Sequence, residues 1–258
     1  MLTFLRKIRY TLSGSGAKRQ YLVYAIGEVL LVMIGILLAL QVNNWNQYHQ
    51  DRKKETQALI NLRYEFVDNR YQFNATQDLH NHMFGAMRLV LDVIDNNRLD
   101  QVNRDSLYTN LLISSFTTPT YNPSQAIINS LMVSGDIDLV QNDSLKLMLI
   151  GWKDLVGDYN EEEVYTERHK FTYLYPRIKQ IIRFPSRHRD KAFAWEQVLT
   201  GSVDRSKLRS MEFYNDLAHA EDFSDIILVD GREFSEGRKL NDAIEKILNL
   251  IENELNGR

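Results

Sequence analysis

The side chains able to carry acid–base or metal chemistry are spread along this chain without the spacings such chemistry needs. Of six histidines, His80 and His82 are two residues apart, so a helix points them to different sides, and His49, His169, His188 and His219 are scattered. An H-E-x-x-H pattern, which sets two imidazoles one turn apart around a metal, does not occur, and neither does a nucleophile elbow or a dinucleotide-binding fingerprint. With no cysteine there is no thiolate ligand, thiol nucleophile or disulfide. Asp154 and Asp158 lie one turn apart on a charged helix, and they and the run Glu161-Glu162-Glu163 read as solvated faces. These residues imply no enzyme, no metal and no cofactor.

The costliest ionisable position is Glu28. It is the single ionisable side chain of YLVYAIGEVLLVMIGILLALQV, residues 21 to 42. As a helix this run is roughly 33 Å long, enough to cross a hydrocarbon core of about 30 Å, and it predicts a transmembrane anchor over residues 21 to 43. A charge near the middle of such a helix costs about 2.5 to 3.5 kcal/mol unless protonation or a partner offsets it. Gly35 and Ala39 fall within about 20° of Glu28 on the helix circumference, a small-residue face that admits a second helix. The expected partners are therefore the lipid bilayer and another transmembrane helix, from a second copy or from a different membrane protein. A protonated Glu28 facing lipid is the alternative.

Arg6, Lys7, Arg9, Lys18 and Arg19 precede the run without an acidic residue, whereas Asp51, Arg52, Lys53, Lys54 and Glu55 follow it as a mixed cluster. Positive charge stays in the cytoplasm, so residues 1 to 20 are expected inside and residues 44 to 258 in the periplasm, with the anchor in a bacterial inner membrane. Tyr21, Tyr24 and Trp45 would mark its two rims. A cleaved signal peptide also begins basic and turns apolar, but the run is too long for one and lacks a small-x-small cleavage site. Beyond residue 43 there are 26 basic and 33 acidic residues, a formal charge of about -7, which speaks against a nucleic-acid partner.

Residues 2 to 12 place Leu2, Leu5, Ile8 and Leu12 at helical spacing against Arg6, Lys7 and Arg9, either a basic amphipathic helix or a plain basic flank. Ser13-Gly-Ser-Gly16 is a hinge rather than a phosphate loop. Leu59, Leu62, Phe66, Phe73, Met83, Met87, Val90, Leu91 and Ile94 keep close to a/d spacing, so the anchor is expected to continue as one coiled-coil-like rod until Asn96-Asn97. Further helices are expected over 104 to 114; from an Asn122 cap with Pro123 at N1 to 133, closed by Gly135; and from an Asn142-Asp143-Ser144 cap through 175 and past Pro176 to 182. Residues 136 to 140 read as a short extended link, 190 to 199 as a short helix, and 204 to 255 as one or two helices interrupted near Gly231 and Gly237. The fold expected is all-α: an elongated up-down-up-down bundle of about four rods behind the anchor.

YAIGEVLLVMIGILLALQVNNWNQ after FLRKIR resembles a family of uncharacterised single-pass membrane proteins of Bacteroidota, catalogued as a domain of unknown function. NPSQAIINSLMVSGDIDLVQNDSLKLML and IEKILNLIENEL are similar to later parts of that family. The resemblance implies an inner-membrane protein with a periplasmic helical domain and brings no activity.

Two further stretches are candidate sites. Phe116, Tyr121, Asn122, Ser134 and Gly135 surround a loop where a ligand or partner pocket is possible, or where the residues simply cap helices. Arg183, Arg187, His188, Arg189 and Lys191 form a basic turn expected at the far tip, facing an anionic partner or solvent alone. The function expected is a membrane-anchored binding or scaffold protein; the alternative is a ligand-sensing module that signals through a partner membrane protein.

Overall fold

The computed structural model describes residues 17–116, 118–183 and 202–257. The basic segment and hinge before Ala17, the helix expected over 190 to 199, and Arg187, His188, Arg189 and Lys191 lie outside the described residues. The chain divides into two compact units that meet between Thr56 and Gln57.

Helix α1, Ala17–Asp95, contributes to both units. Its N-terminal part holds an 18-residue window with a mean hydropathy of 2.4, none of it buried, so one helix is long and apolar enough to cross a membrane. The helix ends as expected: Asn97 takes a positive φ of 54°, and Arg98 N–H closes back on Val93 O at 2.9 Å, the hydrogen bond of a left-handed cap.

The second unit is all-α. Helix α2, Arg104–Phe116, and helix α3, Ala126–Ser134, follow α1. Helix α4, Asp143–His169, continues through a π-helical turn, Lys170–Leu174, into helix α5, Tyr175–Ile181. After short α6, Arg205–Leu208, come α7, Met211–Ile227, and α8, Glu236–Asn256. Two-residue strands, β1 (Ile182–Arg183) and β2 (Ser202–Val203), pair antiparallel.

The direction of each rod is read from its contacts with α1. Phe66 meets Trp152 with ring centroids 4.9 Å apart and His80 meets Glu163 at 3.0 Å, so α4 ascends with α1. Arg70 meets Glu245 and Arg63 meets Glu252, so α8 descends, as α3 does from Asn69–Ser124 to Glu65–Ile127. This is the up-down-up-down order. The buried stripe of α1 (Leu59, Leu62, Phe66, Phe73, Met83, Met87, Val90) matches the expected a/d series.

Three local expectations are corrected. Residues 136 to 140 are a 3₁₀ turn, Asp136–Leu139, because Ile137 and Val140 bury at a spacing of three, while Asp138 N and Val140 N bond to Gly135 O and Ile137 O. Asn122 does not cap α3: its side chain turns to Thr120 and the helix begins four residues later. Residues 204 to 255 hold three helices rather than one or two, and Phe234 between the last two is 78% exposed. Gly231 does mark the break between α7 and α8. Gly237 lies inside the first turn of α8 instead, where a Cβ would stand 2.2 Å from Ile227 O.

Candidate functional site

The apolar interior of the second unit is in two clusters. One gathers Leu59 to Phe73 with Trp152, Tyr159 and Ile244; the other gathers Met83 to Val93 with Leu111, Ile178 and Leu217. Between them runs a seam of buried polar side chains. On α4 the stripe Leu145, Leu149, Trp152, Val156, Tyr159 continues at the same spacing of four and three into Glu163, Thr166 and Lys170 before Leu174 and Ile178 resume it. On α1 Asn69, Gln77 and His80 are likewise buried, His80 against Glu163. Glu163 is thus a correction to the reading of the acidic run as a solvated face: helical period turns it inward, 5% exposed, while Glu161 stays in solvent.

The seam is closely hydrogen-bonded. Glu163 Oε1 meets His80 Nε2 at 3.0 Å, and the Tyr121 N–H donates to both carboxylate oxygens at 3.2 and 3.0 Å. Gln77 Nε2 donates to the Tyr159 hydroxyl at 2.9 Å and to Ile227 O at 2.8 Å, while its Oε1 accepts from Val229 N–H at 3.0 Å. Asn69 holds the backbone of Ser124 by both N–H and C=O, at 2.8 and 2.9 Å. Glu65 accepts from the Ser124 hydroxyl at 2.7 Å and from Ile127 N–H at 3.0 Å, which makes it the cap of α3 that Asn122 does not provide. Tyr121 completes the arrangement by donating its hydroxyl to Asn69 O at 3.2 Å.

Burial sets the electrostatics. It raises the phenols of Tyr121 and Tyr159 well above their ordinary value, with Asp68 adding to the shift at Tyr121 and Glu163 at Tyr159. Burial lowers Lys170 to about 8 against the opposing field of Glu167, and its ammonium lies 2.9 Å from Met83 Sδ. A cavity of about 10 Å³ adjoins these groups, lined by His80, Thr118, Pro119, Glu163, Thr166 and Lys170 among others. His80 Nδ1 and Thr166 Oγ1 are buried there without a hydrogen-bond partner among the described residues. The space suits one molecule of water size and no organic substrate. No cluster of three or more metal-ligating side chains occurs among the described residues.

The seam was not among the sites the sequence suggested, although its polar residues sit in register with the apolar stripes of α1 and α4. The loop candidates do not converge. Tyr121 is buried in the seam, Phe116 stacks edge-on against Tyr175 with centroids 5.0 Å apart, and Asn122, Ser134 and Gly135 face solvent. Gly135 has the left-handed φ of 78° expected of a helix terminator. Glu28, Gly35 and Ala39 are all exposed, and nothing approaches within 4 Å of a Cβ built on Gly35. Arg183 is exposed beside β2; its expected basic neighbours lie outside the described residues.

A family model described as a family of unknown function, DUF6090, matches residues 28–168, which takes in the apolar run from Glu28 and the His80–Glu163 pair. No curated protein and no solved structure matches the chain.

Proposed function

We propose that this chain, which belongs to the family of unknown function DUF6090, is a single-pass anchor protein that presents a helical binding or scaffold domain and works by association rather than catalysis. The observation that carries the reading is the apolar run on α1, an 18-residue window of which is wholly unburied among the described residues. Side chains such as Leu30, Val32, Ile36 and Leu40 are about half exposed or more, a surface that water does not tolerate at this length and that lipid or another apolar helix would cover. The basic residues ahead of the run set the direction: the N-terminus in the cytoplasm of a bacterial cell and the helical domain in the periplasm. The Glu28, Gly35 and Ala39 face is the surface for a neighbouring transmembrane helix. Protease added to intact spheroplasts should degrade the domain beyond residue 56; a domain that is cut only after the membrane is broken overturns the reading.

A sensing role is the second reading, favoured by the small polar cavity lined by His80, Glu163 and Thr166. Two of the residues around it, His80 and Met83, sit on α1, the helix that also carries the apolar run, so a change in the cavity's hydration is felt by that helix. Such a module would signal through a partner membrane protein. Purification in mild detergent of the wild type and Glu28→Leu tests the contact both readings use: a partner retained only by the wild type supports association through the anchor.

A further inference from the structure

On the outer side of the bundle, α4 with its π turn and α7 enclose a cleft of about 580 Å³, lined chiefly by Tyr165, Arg168, His169, Tyr173, His219 and Phe223. This lies inside the roughly 300 to 1,000 Å³ range of small-molecule sites. Tyr165, His169 and Tyr173 follow one another at intervals of four. In an unbroken α-helix the third would sit about 80° round from the first. The π turn Lys170–Leu174 takes up the extra residue and keeps all three on one side. Single π turns inside helices occur frequently at functional sites.

The wall is a continuous set of rings. Tyr165 and His169 lie 5.2 and 5.1 Å from Phe223 between centroids, and His169 lies 5.0 Å from Tyr173. Tyr165 and Tyr173 nevertheless remain 53% and 54% exposed, so each keeps ring surface for a ligand. The charges are one-sided. Asp216, the carboxylate in the lining, is held by Arg177 Nε at 3.1 Å, whereas Arg168 is exposed and makes no ion pair among the described residues. A guanidinium beside exposed aromatic faces suits a ligand that joins an anionic fork-shaped group to a flat body.

We propose that this cleft binds a carboxylate carried on a six-membered ring, with Arg168 taking the carboxylate and Tyr165 and Tyr173 the ring face. Such a ligand is either an aromatic acid or a sugar acid. The inference goes beyond the anchoring role and holds on either side of a membrane. Calorimetry on the full chain in lipid nanodiscs tests it with benzoate and glucuronate, each against its neutral counterpart, benzamide and glucose. At least one acid should bind saturably and at least tenfold more tightly than its counterpart, and Arg168→Gln should weaken it at least tenfold without moving the melting temperature. Binding of benzoate alone assigns an aromatic acid, of glucuronate alone a sugar acid, and of both a site that reads the acid and either kind of six-membered ring. The proposal is overturned if neither acid saturates by about 10 mM, if a neutral counterpart binds as well, or if Arg168→Gln binds like the wild type.

Discussion

Lys170 shows most directly what burying a charge does to this protein. Its folded pKa of about 8 lies below the unfolded value, so between the two the unfolded chain holds a proton that the folded chain has released. Stability therefore rises with pH across that window, by roughly 3 kcal/mol if the whole shift is expressed. The phenols of Tyr121 and Tyr159, raised by burial, act in the opposite sense once unfolded tyrosine begins to ionise near pH 10. Urea unfolding in detergent should thus show stability climbing from about pH 8 to about pH 10 and then turning down. In Lys170→Met the climb should vanish, and at pH 7 that variant should be more stable than the wild type, because no buried ammonium remains to desolvate. Glu163 is the converse case. Glu163→Leu strands the Tyr121 N–H and the His80 ring in the interior and should cost about 3 to 5 kcal/mol, read as a lower unfolding midpoint. Glu163→Gln, which keeps an acceptor for Tyr121, should recover part of that loss.

At the scale of elements, Gly237 gives a sharp prediction. It is buried in the first turn of α8, and its hydrogen faces the end of α7 so closely that a methyl group would meet backbone at 2.2 and 2.7 Å, with no flexible side chain to yield. Gly237→Ala should lower the unfolding midpoint by the equivalent of about 1 to 3 kcal/mol, although alanine is the better helix former. Gly151, with nothing within 4 Å of a Cβ inside α4, is the control, where alanine should stabilise by up to about 1 kcal/mol. These two glycines look alike in sequence, and the contrast marks where sequence reading stops. Helix ends that rest on local chemistry were legible: Asn142 accepts from Leu145 N–H as a cap, and Gly135 and Asn97 take left-handed backbone. The cap of α3 was not, since Glu65 supplies it from more than sixty positions away in the chain. The seam was half legible. Glu163, Thr166 and Lys170 extend the spacing of Trp152, Val156 and Tyr159, yet type alone assigns such residues to solvent, and for Glu163 it is the distant His80 and the Tyr121 N–H that satisfy it inside.

For the whole molecule the decisive question is what covers the exposed apolar run of α1. The absence of cysteine makes the chain a clean background for single-cysteine crosslinking. If the face of Glu28, Gly35 and Ala39 meets a second copy, cysteines at Gly35 and Ala39 should crosslink in native membranes several-fold more than one at Leu38, which is turned well away from that face. The open space beside Gly35 lets a thiol be placed there without disturbing the helix itself. Glu28→Leu should then reduce the product at both positions, because an ionisable group at membrane depth is accommodated only by protonation or by a partner, and removing it removes the reason to pair. Equal product at all three positions would mean that no second copy packs on this face. In that case the anchor is only a tether, and any binding partner must be held by the helical domain.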